Sequence, residues 1–539
     1  MMLLVMCIVF SVILHQPVNG AEETASTWTK LDELPTGRGG LGVAVASGKI
    51  FAIGGSNSDS DLNINEAYEP NNGKWVTKKP MPTARSGFAI ASFENKIYVF
   101  GGAVRDAFTG NVEVYDLITD TWQTKASMPT PRADLCANVV NGKIYLIGGK
   151  TYSSTSPYYA QTGINEVYDP ATNTWSTNAS IPVAVQGYAS TVIGSKIYIM
   201  GGTRQSVLGS DTFTNALQIF DTEAGTWLNG KSMDQPTSYG AAVATTDFMA
   251  PKRIYYFGGY MGTTFTNKTQ VYDPANNVWT SGAEMPTVRA YLGVAEINDV
   301  IYAVGGFDGA NWLNSNEQYK PLEYGKIPPK IQIVSPESKT YSSVTLSYTV
   351  NKATSWVGYS LDNQANKTVT SGVALEGLSD GQHSIIVYAN DSLGNMGVSN
   401  MVTFSIDTFG PTITIFDPEN QTYSLRDIHL TFTIDEPASK LSYVLDGEEE
   451  VSITGNVTLP ALPDGAHSIT VYGIDEIGNT AASETVYFSI STFPTFWVAA
   501  AIATTTILFA SGYLVIKRRK PSSKEGNNVL IKKKGKEKK

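Results

Sequence analysis

Histidine is almost missing from this chain, and cysteine is scarcer still: 539 residues hold four of the first and two of the second. The histidines are His15, His383, His429 and His467, so residues 16 to 382 contain none. That excludes Ser-His-Asp and Cys-His catalysis, and any histidine-ligated metal, from the whole of this stretch. Cys7 lies in an apolar N-terminal run, which leaves Cys136 without an intrachain disulfide partner. Such a chain, if extracellular, has cores large enough to stand without staples. There is no phosphate loop and no dinucleotide fingerprint. Charge is sparse, at 16% of residues, and before residue 517 basic groups number 28 against 47 acidic ones. That balance argues against nucleic acid as a partner.

What the chain does have is turns and rings. Aromatic residues make up 11%, with 49 Gly and 25 Pro, the composition of a turn-rich β protein. Its length calls for several domains. Met1 to Leu14 is continuously apolar, and Val18-Asn-Gly20 supplies small residues before Ala21, the pattern of a signal peptide over 1–20. Near the other end, Phe496 to Ile516 is uncharged and long enough to span a bilayer, so a transmembrane helix is expected over 494–516. Trp497 and Tyr513 stand near its ends, and Lys517-Arg-Arg-Lys520 opens a basic tail, 517–539. The positive-inside rule puts that tail in the cytoplasm and the rest outside the cell membrane, as a single-pass protein.

Between these ends one design returns six times. Paired glycines stand at Gly54-Gly55, Gly101-Gly102, Gly148-Gly149, Gly201-Gly202, Gly258-Gly259 and Gly305-Gly306. Each pair is followed by an aromatic: Tyr68, Tyr115, Tyr168, Phe220, Tyr272 and Tyr319. Seven positions after the first five of these comes a Trp: Trp75, Trp122, Trp175, Trp227 and Trp279. Each unit holds four short β-like segments, here called a to d, separated by Gly, Asn-Gly and Asp-Pro turns. Four-stranded units repeated radially make a β-propeller. The sixth unit lacks its Trp, while an orphan, Trp28, precedes the first. The N-terminal segment is therefore expected to supply strand d of the last unit.

The Gly-Gly, spaced Tyr and spaced Trp resemble kelch repeats over essentially all of Trp28 to Tyr319. The resemblance implies a closed ring, here a six-bladed kelch β-propeller over 21–325. Ten residues after each Trp stand Arg38, Arg85, Arg132, Val185, Thr237 and Arg289. Two readings stay open for the four arginines. They are structural hydrogen-bond donors at the blade base, or a partial ring of guanidinium groups facing an acidic ligand. Gly-Gly lies 14 residues before the aromatic in four units, but 20 before in the third and 19 in the fourth. The extra residues fall in b–c loops on the same face as the arginines. Loops on rigid scaffolds usually carry binding, so Tyr152, Tyr158, Tyr159, Arg204 and the off-pattern Trp312 are expected ligand contacts beside Arg38, Arg85, Arg132 and Arg289. The opposing reading is tolerated insertion. Cys136 occupies a slot held elsewhere by Gly42, Ala89, Ala189, Ala241 and Gly293, and reads as a structural cysteine.

A second repeat follows the stiff linker Gly325-Lys-Ile-Pro-Pro-Lys330. Ile333 to Tyr341 matches Ile415 to Tyr423, and Asp380-Gly-Gln-His383 matches Asp464-Gly-Ala-His467. Alternating strands with turn signals argue two β-sandwiches, 328–408 and 409–492, which look like Ig-like modules without the cysteine pair. Asp391 and Asp475 read as hairpin-turn residues rather than calcium ligands. Sequons beginning at Asn178, Asn267, Asn366, Asn390, Asn420 and Asn456 permit glycosylation.

The expectation is therefore an all-β ectodomain and one membrane helix, displaying the propeller to an extracellular protein or glycan. No catalytic residue, metal or cofactor is expected. Two alternatives remain: a sialic-acid-mutarotase-like isomerase, whose resemblance calls only for carboxylate and Arg groups in a pocket, and a structural envelope component that binds nothing.

Overall fold

A computed structural model describes residues 26–492 except 106, 154–158, 206–210 and 371. The expected signal peptide and membrane helix lie outside these residues. Among the described residues no helix is long and apolar enough to cross a membrane.

The first part of the chain forms six four-stranded antiparallel sheets, each built in the order a, b, c, d. In the second sheet these strands are Ala89–Phe93, Lys96–Phe100, Val112–Asp116 and Thr121–Lys125. Strand b (Lys-Ile-Tyr-Val-Phe) is β-branched or aromatic through its middle and buried from Ile97 onward, because a sheet sandwiched between two neighbours has no wet face. Strand d holds no buried residue and forms the outer edge. The glycine pair ends strand b with Gly101 at φ 63° and Gly102 at φ 98°. A Cβ on Gly101 would stand 2.5 Å from the Arg132 carbonyl oxygen of the next sheet, so these glycines serve close approach as well as backbone freedom.

The six a strands touch in a closed cycle, and the sixth sheet is completed by Thr27–Lys30. Trp28 pairs there with Tyr319, in the register that Trp122 keeps with Tyr115. The N-terminal strand thus closes the ring as expected. Each framework Trp also donates its indole N–H to a carbonyl in the segment that runs from strand d of the preceding sheet into strand a of its own: Trp122 to Lys79, Trp175 to Ala126, and Trp28 to Ala283. Rings at the sheet interfaces fill the wedge between neighbours, with Trp28 5.4 Å from Phe257 and 4.9 Å from Tyr319.

In the fifth sheet the loop between strands Ala241–Ala244 and Ile254–Phe257 folds onto Asp299 of the sixth. The Asp299 carboxylate is fully buried and accepts the backbone N–H groups of Thr246, Phe248, Met249 and Ala250 together with the Thr246 hydroxyl. Burial works against its charge, but these donors hold its carboxyl below the usual range.

Beyond the propeller lie two modules of like topology, each a three-stranded sheet and a larger mixed sheet. In the first, Ile331–Ser335, Thr345–Val350 and Val373–Ala374 form the small sheet. Its core gathers Leu346, Ile385, Val387 and Phe404, and the second module repeats this with Leu430, Ile469, Val471 and Phe488. Asp391 accepts backbone N–H groups from Leu393 and Asn395, and Asp475 those from Ile477, Gly478 and Asn479, which is turn geometry.

Candidate functional site

The framework arginines correct one expectation. Arg38, Arg85, Arg132 and Arg289 are 0% exposed, and each guanidinium meets a buried carboxylate: Glu66 at 2.7 Å, Glu113 at 2.8 Å, Glu166 at 2.7 Å and Glu317 at 2.8 Å. Further N–H groups of each go to backbone carbonyls, as Arg132 does to Gly148 and Ile164, while the Nε–H groups of Arg85, Arg132 and Arg289 are buried without a partner among the described residues. They therefore present no guanidinium ring to a ligand; they are pinned inside the sheets. A signal for this stood in the sequence. The glutamate precedes the aromatic of strand c by two residues, and where Val185 and Thr237 replace Arg, that glutamate becomes Gln218 and Gln270. With no guanidinium opposite, the neutral amide bonds backbone instead: Gln218 to both the N–H and C=O of Val183, Gln270 to the N–H of Gln235.

The loop residues fall into two groups. Tyr152 and Tyr159 pair across a short hairpin, Lys150–Tyr152 with Tyr159–Gln161. Tyr152 is 52% exposed; its ring lies 4.8 Å from Phe108 of the second sheet's loop, and its hydroxyl oxygen accepts the Phe108 N–H. The Lys150 ammonium stands over both Phe108, at 5.6 Å, and Tyr159, at 5.5 Å. Arg204 is exposed on the next hairpin, whose Asp211 accepts from Gln161 at 2.8 Å and from Tyr159 at 3.5 Å. Loops of the second, third and fourth sheets are thus joined into one surface. Tyr158 lies outside the described residues. Trp312 belongs elsewhere on the face, at the end of a row of ring contacts running Phe213, Tyr260, Phe265, Phe307, Trp312.

A feature the sequence reading passed over lies at the centre of this face. Two residues after each Arg position stand Gly40, Gly87, Asp134, Gly187, Tyr239 and Tyr291. All six have left-handed backbones, with φ between 54° and 61°. Their peptide groups form an unbroken ring: each N–H donates to the carbonyl of its counterpart in the preceding sheet, and Gly40 closes it on Tyr291 at 2.9 Å. Glycine is at ease in that conformation, whereas tyrosine is not. Beneath the ring the six a strands enclose a cavity of about 280 Å³, walled by Val43, Ile90, Ala137, Ser190, Ala242 and Val294 among others.

The three side chains of the ring interact. Tyr239 and Tyr291 stack with centroids 4.3 Å apart, and the Tyr239 hydroxyl donates to Asp134 at 3.3 Å. Asp134 in turn pairs with Lys150 at 2.7 Å, linking the mouth to the loop surface. Tyr239 lies across Gly187, where a Cβ would come within 2.7 Å of its ring, and the Asp134 carboxylate lies as close over Gly87. Burial and the Asp134 carboxylate raise both phenols, Tyr291 to about 12, so each remains a neutral donor at physiological pH. Cys136 sits deeper, its thiol turned to the Tyr188 carbonyl and pushed by burial up to about 11, an unreactive thiol as its small-residue slot implied. The departure from glycine at three of six equivalent positions is the signal by which the mouth could have been found.

Comparison with known proteins agrees with this architecture. A model of the Attractin/LZTR1 β-propeller family matches residues 50–311 and, overlapping, 111–391, together well over half of the chain. Spermatocyte protein spe-26 of Caenorhabditis elegans is 30% identical over 164 residues, 29% of this chain and 27% of that protein. Kelch-like protein 35 of Mus musculus is 31% identical over 147 residues, 26% and 22% of the two chains. Kelch-like protein 23 of Homo sapiens is 30% identical over 145, 26% and 24%. The matched stretch is thus about a quarter of each relative's length. Among solved structures, that of YjhT aligns over 53% of this chain and 96% of its own, at 18% identity and a TM-score of 0.45. The chain belongs to the Attractin/LZTR1 β-propeller family, and its repeats are of kelch type.

Proposed function

We propose that this is a single-pass cell-surface protein whose six-bladed kelch propeller, carried on two Ig-like sandwiches, is a binding head for an extracellular protein or glycan. The observation that carries this reading is the welding of the b–c loops of three sheets into one surface. Phe108, Lys150, Tyr152, Tyr159 and Asp211 hold one another across sheet boundaries, and Tyr152 still exposes half its surface. A preorganised, aromatic, partly charged surface loses little entropy when a partner lands on it. The uncharged run before Lys517 supports the membrane anchor.

The isomerase alternative calls for carboxylate and Arg groups together in a pocket. Four of the five arginines singled out for the site are enclosed with their glutamates, and only Arg204 of the five is exposed. Binding is therefore the better-supported role. The full chain, purified in detergent, would be presented to a glycan array and to a library of surface-protein ectodomains. A ligand whose affinity falls on Tyr152→Ala or Arg204→Ala supports the reading. Absence of any ligand in both screens would leave the structural envelope component as the role.

A further inference from the structure

The mouth of the central cavity is built against the preference of its own backbone. Three of the six equivalent positions carry glycine, which shows that the peptide ring forms without any side chain. Tyr239 and Tyr291 adopt a left-handed φ, 54° and 56°, a conformation that bulky residues avoid, whereas Asp134, at 55°, is of a residue type that tolerates it. Strain of this sort persists where a side chain does something that folding does not require. Two further polar groups stand in the chain immediately before ring residues. Gln186 and Ser238 are more than nine-tenths buried, and Gln186 Oε1 and Ser238 Oγ have no hydrogen-bond partner within the protein.

The chemistry of the mouth narrows what it takes. A cavity of about 280 Å³ lies near the small end of the range for small-ligand clefts, about 300–1,000 Å³, and is far too small for a folded domain. Asp134 is already compensated by Lys150 at 2.7 Å, so the mouth has no uncompensated charge with which to select a lysine, an arginine or a carboxylate. It offers instead a stacked pair of phenol rings beside a neutral mixture of acceptors and donors: the Asp134 carboxylate, the two Tyr hydroxyls and the Lys150 ammonium. An apolar C–H face ringed by hydroxyl groups matches that mixture, because each hydroxyl both donates and accepts.

We infer that the mouth formed by Asp134, Tyr239 and Tyr291 is a binding site for an uncharged sugar ring. This deepens the binding-head reading and rests on it. Tyr291 stacks against the sugar, Asp134 and the Tyr hydroxyls hold its hydroxyls, and Gly40, over which neither tyrosine nor Asp134 lies, leaves the space it needs.

The test uses the full chain in detergent, titrated with neutral oligosaccharides and methyl glycosides, with sialylated glycans and short peptides in parallel. Wild type binds a neutral sugar. Tyr239→Gly and Tyr291→Gly each weaken that binding at least about tenfold, a loss of roughly 1.4 kcal/mol, while the unfolding midpoint stays within a few degrees of wild type or rises. Ile118→Ala, in the exposed c–d turn of the second sheet, leaves neutral-sugar binding unchanged. A clear fall in the unfolding midpoint of the glycine variants would assign the tyrosines to folding and overturn the inference. So would unchanged affinity, no neutral sugar bound, or a peptide bound at the mouth in its place. A ligand that is lost on Tyr152→Ala but indifferent to Tyr239→Gly sinks this inference and leaves the binding head standing.

Discussion

The guanidinium of Arg289 and the carboxylate of Glu317 lie 2.8 Å apart within the sixth sheet, one 0% and the other 1% exposed on their side chains. The same pair recurs in three other sheets, always between the start of strand a and the middle of strand c. Removing one partner leaves an uncompensated buried charge, which costs about 3–5 kcal/mol. Arg85→Ala is therefore expected to lower stability by about that much in chemical denaturation, and Arg85→Ala with Glu113→Ala by less than the sum of the two single changes. Loss of ligand binding by a fully folded, fully stable Arg85→Ala protein would contradict this and return the arginine to the ligand.

Ring closure depends on Trp28. Its indole donates to Ala283 and its ring packs on Phe257 and Tyr319, while the strand around it is mostly exposed. Trp28→Ala is expected to destabilise the propeller by about 3 kcal/mol. Limited proteolysis would cut first between residues 26 and 35, and the sixth sheet would lose amide protection before the third. Equal loss of protection in all six sheets would mean that the ring does not open at this seam.

Each sandwich holds a histidine between two acceptors. His383 places Nδ1 2.7 Å from Asp362 and Nε2 2.7 Å from the Ser379 carbonyl; His467 does the same with Asp446 and Pro463. Two acceptors require both ring nitrogens to donate, which only imidazolium can do. Burial opposes that charge, but the carbonyl and carboxylate together raise both histidines above their ordinary value. A raised folded-state value means that the stabilisation is complete below the unfolded value, about 6.5, and is lost as pH rises through the folded one. Asp362 is lowered, the His383 and Ser384 bonds outweighing burial, so its share is lost only in acid. The sandwich transition in thermal scans is thus expected to weaken from pH 6 to pH 9, and His467→Gln to flatten that slope. A transition that strengthens over the same range would refute the imidazolium.

Asp299 gathers the loop at 246–250 by several hydrogen bonds to a fully buried carboxylate. Asp299→Ala strands those donors, at about 1–3 kcal/mol for each one left unsatisfied. Hydrogen exchange should accelerate at Phe248, Met249 and Ala250 well before the a strands respond. Unchanged exchange there would show that the loop holds itself.

Much of this architecture was legible because its signals are local and repeated. The spacing of Gly148, Tyr168 and Trp175 reports strand b, strand c and the turn between c and d whatever surrounds them. Trp28 announced the closure by being one Trp too early. The loop lengths after Gly148 and Gly201 located the hairpins that do join into a surface. Burial was not legible from the same signals. Arg132 in Pro-Thr-Pro-Arg reads as readily as a surface cation, and only its pairing with Glu166, 34 residues on, decides the matter.

The sequence alone therefore determined the repeats, their number and the strand that closes them, since each follows from residues close together in the chain. The tertiary structure decided where the charges and rings meet. Asp134, Tyr239 and Tyr291 are separated by more than a hundred and fifty residues end to end, and each is a single departure from glycine within its own repeat. Only a closed ring of peptide hydrogen bonds brings them to one opening, because the backbone of each is held by the sheet before it.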